Sequence, residues 1–185
     1  MPTIRLRKLA TAALLGGLAL GLAGCSTLVK QAVSELRGPQ AKLLLDPAPT
    51  SAAFAAVNAV RFSNATSSLG PRLCPASVAP AYDAAAREAE QALASRFPGG
   101  PPELRIDAEL IFFQDKGILS AAELIARIRM RDDGRTLADG IVKVESSSFR
   151  AGDETALARE AVREIRKYLE SQRPTRDEKS QPAED

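Results

Sequence analysis

The sequence predicts an α+β fold, a two-layer sandwich of about four mostly antiparallel strands with two amphipathic helices on one face, in the order β-α-β-β-β-α. Three observations lead there. First, two segments alternate strictly between apolar and charged residues. Leu104, Ile106, Ala108, Leu110 and Phe112 stand against Arg105, Asp107 and Glu109. Ala122, Leu124, Ala126, Ile128 and Met130 stand against Glu123, Arg127, Arg129 and Arg131. Second, two stretches place apolar residues at helical spacing. Third, strands with one apolar and one charged face imply a sheet covered on one side and wet on the other.

The elements follow in order. Ser26 to Leu45 reads as a tether, with Leu28, Val29, Ala32, Val33 and Leu36 spaced for a short helix that Gly38-Pro39 ends. Asp46-Pro47-Ala48-Pro49 is a second break. Phe54 to Phe62 is expected to be a strand, and Asn64 to Pro80 a loop. Tyr82 to Phe97 is the first helix, burying Tyr82, Ala85, Ala86, Ala89, Leu93 and Phe97; Pro98-Gly99-Gly100-Pro101-Pro102 stops it. Asp132-Asp133-Gly134 marks a hairpin, because glycine accepts the positive φ that such loops need. Leu137 to Phe149 follows as a strand, with Ala138, Val142 and Val144 apolar and Lys143 and Glu145 opposite. Asp153 is placed to N-cap a second helix whose stripe is Leu157, Ala161, Val162, Ile165 and Leu169. The expected organisation is a leader over 1–24, a tether over 25–50, a single domain over 51–170 and a disordered polar tail over 171–185.

The leader carries the sharpest motif. Arg5, Arg7 and Lys8 precede an uncharged apolar stretch from Leu9 to Ala23, and Leu22-Ala23-Gly24-Cys25 closes it. A basic region, a short apolar region and small residues before a cut describe a secretory signal. The apolar stretch is short for a membrane span, which needs about 20 residues. With a cysteine directly after Ala-Gly, the segment resembles a bacterial lipoprotein signal with its lipobox, Leu22, Ala23, Gly24 and Cys25. That resemblance implies a diacylglycerol on the Cys25 sulfur, cleavage before Cys25, and acyl chains such as palmitate as a stable membrane anchor. Ser26, where an aspartate would suggest retention at the inner membrane, favours the outer membrane facing the periplasm.

Removing the leader lowers the formal charge from +2 by three, to −1. The mature chain has no basic run and no Trp, so no electrostatic or stacking footprint for nucleic acid is present. The sequence contains no His and two Cys. The commonest general base and metal ligand are therefore missing, and with Cys25 acylated no Cys/His zinc cluster can form. Cys74 is left without an intramolecular partner, and a quiet thiol is the expected reading. The acids Asp107, Glu109, Glu123 and Glu145 could in principle support carboxylate catalysis. Interleaved with Arg105, Arg127, Arg129 and Lys143, they read more simply as cross-strand ion pairs. Asp132-Asp133-Gly134 lacks the remaining ligand spacing of a calcium loop. Gly99-Gly100 follows a helix and precedes a strand, the reverse of a phosphate-cradling loop. Gly117-Ile118-Leu119 is expected at a loop tip, as a turn or a contact point. No catalytic, cofactor-binding or metal-ligating residue is assigned.

Val57-Asn58-Ala59-Val60-Arg61-Phe62-Ser63-Asn64 is similar to the strand-then-Phe-x-Asn start of the curli-secretion lipoprotein, the TolB amino-terminal domain and the peptidoglycan-synthase activator lipoproteins. Ile128 to Ala138 is similar to the hairpin these domains often carry. The resemblance spans about Phe54 to Leu169 and implies a small envelope lipoprotein domain. It supplies no catalytic residue. The chain differs from the curli-secretion protein in having no segments suited to a transmembrane barrel. The expected function is a non-enzymatic, lipid-anchored accessory or partner-binding protein, attached to the membrane through Cys25 and contacting another envelope protein. The alternative is a binder of a small or lipidic ligand in envelope transport.

Overall fold

The strands form where apolar and polar residues alternate, and the sheet they make has one greasy and one wet face. In the computed structural model, which describes residues 38–115, 121–146 and 153–173, five strands and two helices appear. They are β1 (Gln40–Leu45), β2 (Ala59–Phe62), α1 (Val78–Leu93), β3 (Glu103–Gln114), β4 (Glu123–Asp132), β5 (Arg135–Glu145) and α2 (Glu154–Gln172). The sheet order is β1-β5-β4-β3-β2. β2 runs parallel to β3, as the α1 crossover between them requires, and the other pairs are antiparallel. Both helices lie on one face, so the molecule is an α+β two-layer sandwich.

The strand count is five rather than four. The additional strand, Gln40–Leu45, falls inside the stretch expected as tether, so the domain reaches back beyond residue 51. Its alternation is real, with Ala41, Leu43 and Leu45 half-buried and Gln40, Lys42 and Leu44 exposed. It is short, and Leu44 breaks the apolar-polar code by standing on the wet side. Gly140 of β5 admits this strand: a Cβ there would lie 2.0 Å from the Leu44 carbonyl oxygen.

Other details moved too: the first helix ends at Leu93 rather than Phe97, and β5 starts at Arg135 rather than Leu137. Only Ala59–Phe62 of the expected Phe54–Phe62 strand is extended; Ser51–Phe54 forms a 3-10 turn that drops Phe54 into the core. α1 starts at Val78, ahead of the expected Tyr82, because Pro80 in a first turn forfeits no helical hydrogen bond. In β3 the register shifts between Leu110 and Phe112. The extra residue, Ile111, reverses the parity, and Phe113 rather than Phe112 becomes the buried ring.

Leu104, Ile106, Leu110, Leu124, Ile128, Met130, Val142 and Val144 of the sheet are fully buried against Tyr82, Leu93, Leu157, Ile165 and Leu169 of the helices. Each such side chain contributes about 1.5–3 kcal/mol on burial. Asp153 caps α2, its Oδ1 accepting from the Ala156 amide at 2.7 Å. α2 continues through Gln172, past the expected start of the tail at 171. The lipobox, Gly117-Ile118-Leu119 and the rest of the tail lie outside the described residues. Among the described residues, no helix is long and apolar enough to cross a membrane.

Candidate functional site: the open face of the sheet

No described helix covers the second face of the sheet, and the register fixes what stands there. Reading across β3, β4, β5 and β1, Glu109 lies opposite Arg127, Ile141 and Leu44. The next row holds Phe112, Ile125, Lys143 and Lys42. Toward the other end, Asp107, Arg129 and Asp139 form one row, and Arg105 faces Arg131. Period-two alternation puts all of these side chains on the same side.

Part of this face is an ion-pair network. Arg127 donates to both oxygens of Asp139, Nε to Oδ1 at 2.8 Å and Nη2 to Oδ2 at 2.6 Å. Arg129 Nε approaches the same carboxylate at 3.4 Å. Arg131 donates Nε to Asp107 Oδ2 at 2.6 Å. Turning toward Asp107 relieves the like-charge opposition between Arg131 and Arg105. The segment after β2 closes the edge: Ser63 Oγ donates to Asp107 at 2.7 Å and Ser68 Oγ to Glu109. It is held there because the Ser63 and Thr66 amides donate to Ile106 and Ala108, and the Leu110 amide donates back to Thr66. At the opposite end, Lys143 Nζ sits 3.0 Å from Glu123 and 2.6 Å from Glu145.

These partners set the proton affinities. The Arg127 guanidinium holds the Asp139 carboxyl below the usual carboxylate range, with Arg129 assisting. Burial pushes the Asp107 carboxyl up, but Ser63 and Arg131 more than offset it, and the net shift is down. Glu145 and Glu123 raise the Lys143 ammonium. Two carboxylates held ionised by arginine are the opposite of what a general acid needs. Burial likewise pushes the Cys74 thiol up, away from the thiolate that a nucleophile requires. No three or more acidic or cysteine side chains among the described residues are grouped to hold a metal ion.

An apolar strip crosses the face between this network and the Lys143 cluster. Leu44 is 55 % exposed and Ile141 43 %, although each occupies a position that elsewhere on this face is charged. With half-buried Ile125, Phe112 and the bulged Ile111 they make a diagonal stripe across four strands. A shallow groove of about 540 Å³ runs beside it, lined by Asp46, Ile111, Arg127, Asp139, Gly140 and Ile141. A smaller cleft of about 280 Å³ lies over Ser63, Asp107 and Arg129.

The structure gathers Arg105, Asp107, Glu109, Glu123, Arg127, Arg129, Arg131, Lys143 and Glu145 onto one surface, as alternation requires. Sequence reasoning missed Asp139, Leu44 and the apolar stripe. The available signal was Ile125 and Ile141 standing at charged-parity positions within otherwise alternating strands.

No family model matches the chain, and no curated protein matches it. Among solved structures, a variant of the PelC dodecamer from Paraburkholderia phytofirmans is 10 % identical, with 70 % of this chain and 98 % of that one covered at a TM-score of 0.46. A second crystal form of that dodecamer gives 10 % identity, 71 % and 96 % coverage and a TM-score of 0.43. The hypothetical protein CT253 from Chlamydia trachomatis gives 14 % identity, 62 % and 98 % coverage and a TM-score of 0.39. These are likenesses in the path of the chain alone.

Proposed function

We propose that this chain is a non-enzymatic envelope lipoprotein, anchored through Cys25 and presenting the open face of its sheet to another envelope protein. The observation that carries the reading is the stripe of exposed Leu44 and Ile141 with half-buried Ile125 and Phe112, beside a preformed ion-pair network. Contiguous exposed apolar surface rimmed by charge is the usual composition of a protein contact site. The complementary partner surface has an apolar ridge flanked by groups able to join the Arg127–Asp139 and Lys143–Glu123 pairs. The lipobox, Leu22-Ala23-Gly24-Cys25, supports an outer-membrane anchor facing the periplasm. The short similarities to envelope lipoprotein domains support the same assignment.

A ligand-binding role is less well supported. The space between sheet and helices is filled by side chains from both layers. Of the carboxylates that could have served a hydrolase, Asp107 is held by Arg131, Glu109 accepts from Ser68, and Glu123 and Glu145 are paired with Lys143.

The test separates anchor from face. Replacing Cys25 with Ala is expected to abolish palmitate labelling and to leave the leader uncleaved. Ile125→Asp with Ile141→Asp is expected to leave labelling intact and abolish co-purification of the partner from detergent-solubilised membranes. Unchanged co-purification from the doubly substituted chain would sink the face; continued labelling of Cys25→Ala would sink the anchor.

A further inference from the structure

We infer that the outer edge of β1 is a self-association site, at which a second copy of the chain adds its own β1 antiparallel to the first. β1 is an edge strand, and its backbone polarity can be assigned. The Asp46 amide donates to the Asp139 carbonyl at 2.8 Å, continuing the β1–β5 register. The even residues therefore point their main-chain groups inward to β5, and Ala41, Leu43 and Leu45 point theirs outward. Nothing among the described residues receives those outward groups. An unpaired edge of this kind is a template for another strand.

The side chains select the occupant and the register. Lys42 lies directly opposite Lys143, a like-charge pairing that carries a cost. Lys143 already has two carboxylates, Glu123 and Glu145, whereas Lys42 and Asp46 are exposed and have no ion-pair partner among the described residues. Lys42 and Asp46 flank Leu44 by two residues on either side, and all three point to the open face. Turned about a two-fold axis through Leu44, the strand is its own complement. Leu44 meets Leu44 of the copy, each Lys42 meets an Asp46, and Leu43 exchanges main-chain hydrogen bonds with Leu45. Moving the axis to Lys42 sets lysine against lysine. Moving it to Leu43 sets Lys42 against Leu44 and leaves Asp46 opposite Gln40. Only the Leu44 register satisfies both the charges and the outward amides. It also continues the apolar stripe from one molecule into the next.

The overlap provides about four main-chain hydrogen bonds, a small contact beside stable dimers, so the readout is a covalent trap. At a non-hydrogen-bonded antiparallel pair the two Leu44 Cα atoms would lie about 4.5 Å apart, within disulfide range. Leu44→Cys in the full chain, mildly oxidised in cells, is expected to yield a disulfide-linked species of twice the monomer mass. Leu43→Cys and Arg159→Cys are expected to give only the background of the unsubstituted chain, whose Cys74 is buried. Adding Lys42→Asp or Asp46→Lys to Leu44→Cys should lower the cross-linked fraction severalfold, and adding both should restore it. Lys42, Leu44 and Asp46 are exposed, and far-ultraviolet circular dichroism of each variant is the check that it is folded. No dimer from Leu44→Cys, a disulfide to a different protein, or a dimer indifferent to the single charge reversals would each overturn the proposal.

Discussion

The two faces of the sheet come from the same strands and differ in almost everything else. On the helix side, Leu104, Ile106, Leu110, Leu124, Ile128 and Met130 are fully buried, and what these side chains do is pack. On the open side, the residues between them make a charged network on Asp107 and Asp139, a second charged cluster on Lys143, and between them an apolar strip that includes Ile141 and Leu44. Water alone would be served by polar residues at every open-face position. Leu44 and Ile141 stay largely in water, so the apolar stripe gains less from the stability of the isolated domain than the buried apolar residues beneath it do. The difference teaches where to look for selection: on the covered face a substitution reads out as stability, and on the open face as contact.

The largest stability effect lies on the covered face. Ile128→Ala is expected to cost about 2–5 kcal/mol, since helices and sheet cannot collapse around the lost volume; urea titration of the folded domain checks it. Gly140→Ala comes next. Its new Cβ would meet the Leu44 carbonyl, so β1 must shift, at about 1–3 kcal/mol. Faster hydrogen exchange at β1 than in the unsubstituted chain, with β3 unchanged, would locate the damage.

Asp139→Asn, on the open face, is expected to cost at most about 1 kcal/mol at neutral pH, because the pair with Arg127 is partly exposed. It also carries a sign in pH. Asp139 and Asp107 have lowered pKa values in the fold, so their contribution is full above the ordinary aspartate value of about 3.9 and is lost as pH falls through the lower folded values. The wild-type chain should lose stability over that acid range, and Asp139→Asn should flatten the loss. The smallest effect is Ile141→Ser, expected to change stability by no more than about 0.5 kcal/mol in either direction. If it destabilised the domain as Ile128→Ala does, the contrast between the faces would collapse.

Alternation made the covered face readable before any coordinates. The spacing of Leu104 to Leu110 and of Leu124 to Met130 gave both strands, their buried side and the charged residues opposite. It failed at Phe112, because a bulge adds one residue without leaving a mark such as glycine. It failed again at Gln40–Leu45, where six residues with a leucine on the wet side do not separate strand from tether. Asp139 went unnoticed since its value depends on Arg127 and Arg129 of the neighbouring strand, a juxtaposition fixed only by register. Pairwise geometry across strands is what a single sequence hides, and the open face is made of it.

The central claim, that the open face is the contact surface, is tested most directly by position-specific photocrosslinking in intact cells. A photoreactive side chain would replace Ile125 or Ile141 on that face, or Arg159 or Arg163 on the outer side of α2. We expect a discrete adduct with another envelope protein from Ile125 and Ile141 and none from the two helix positions. The same adducts from both sides, or none from the sheet, would contradict it.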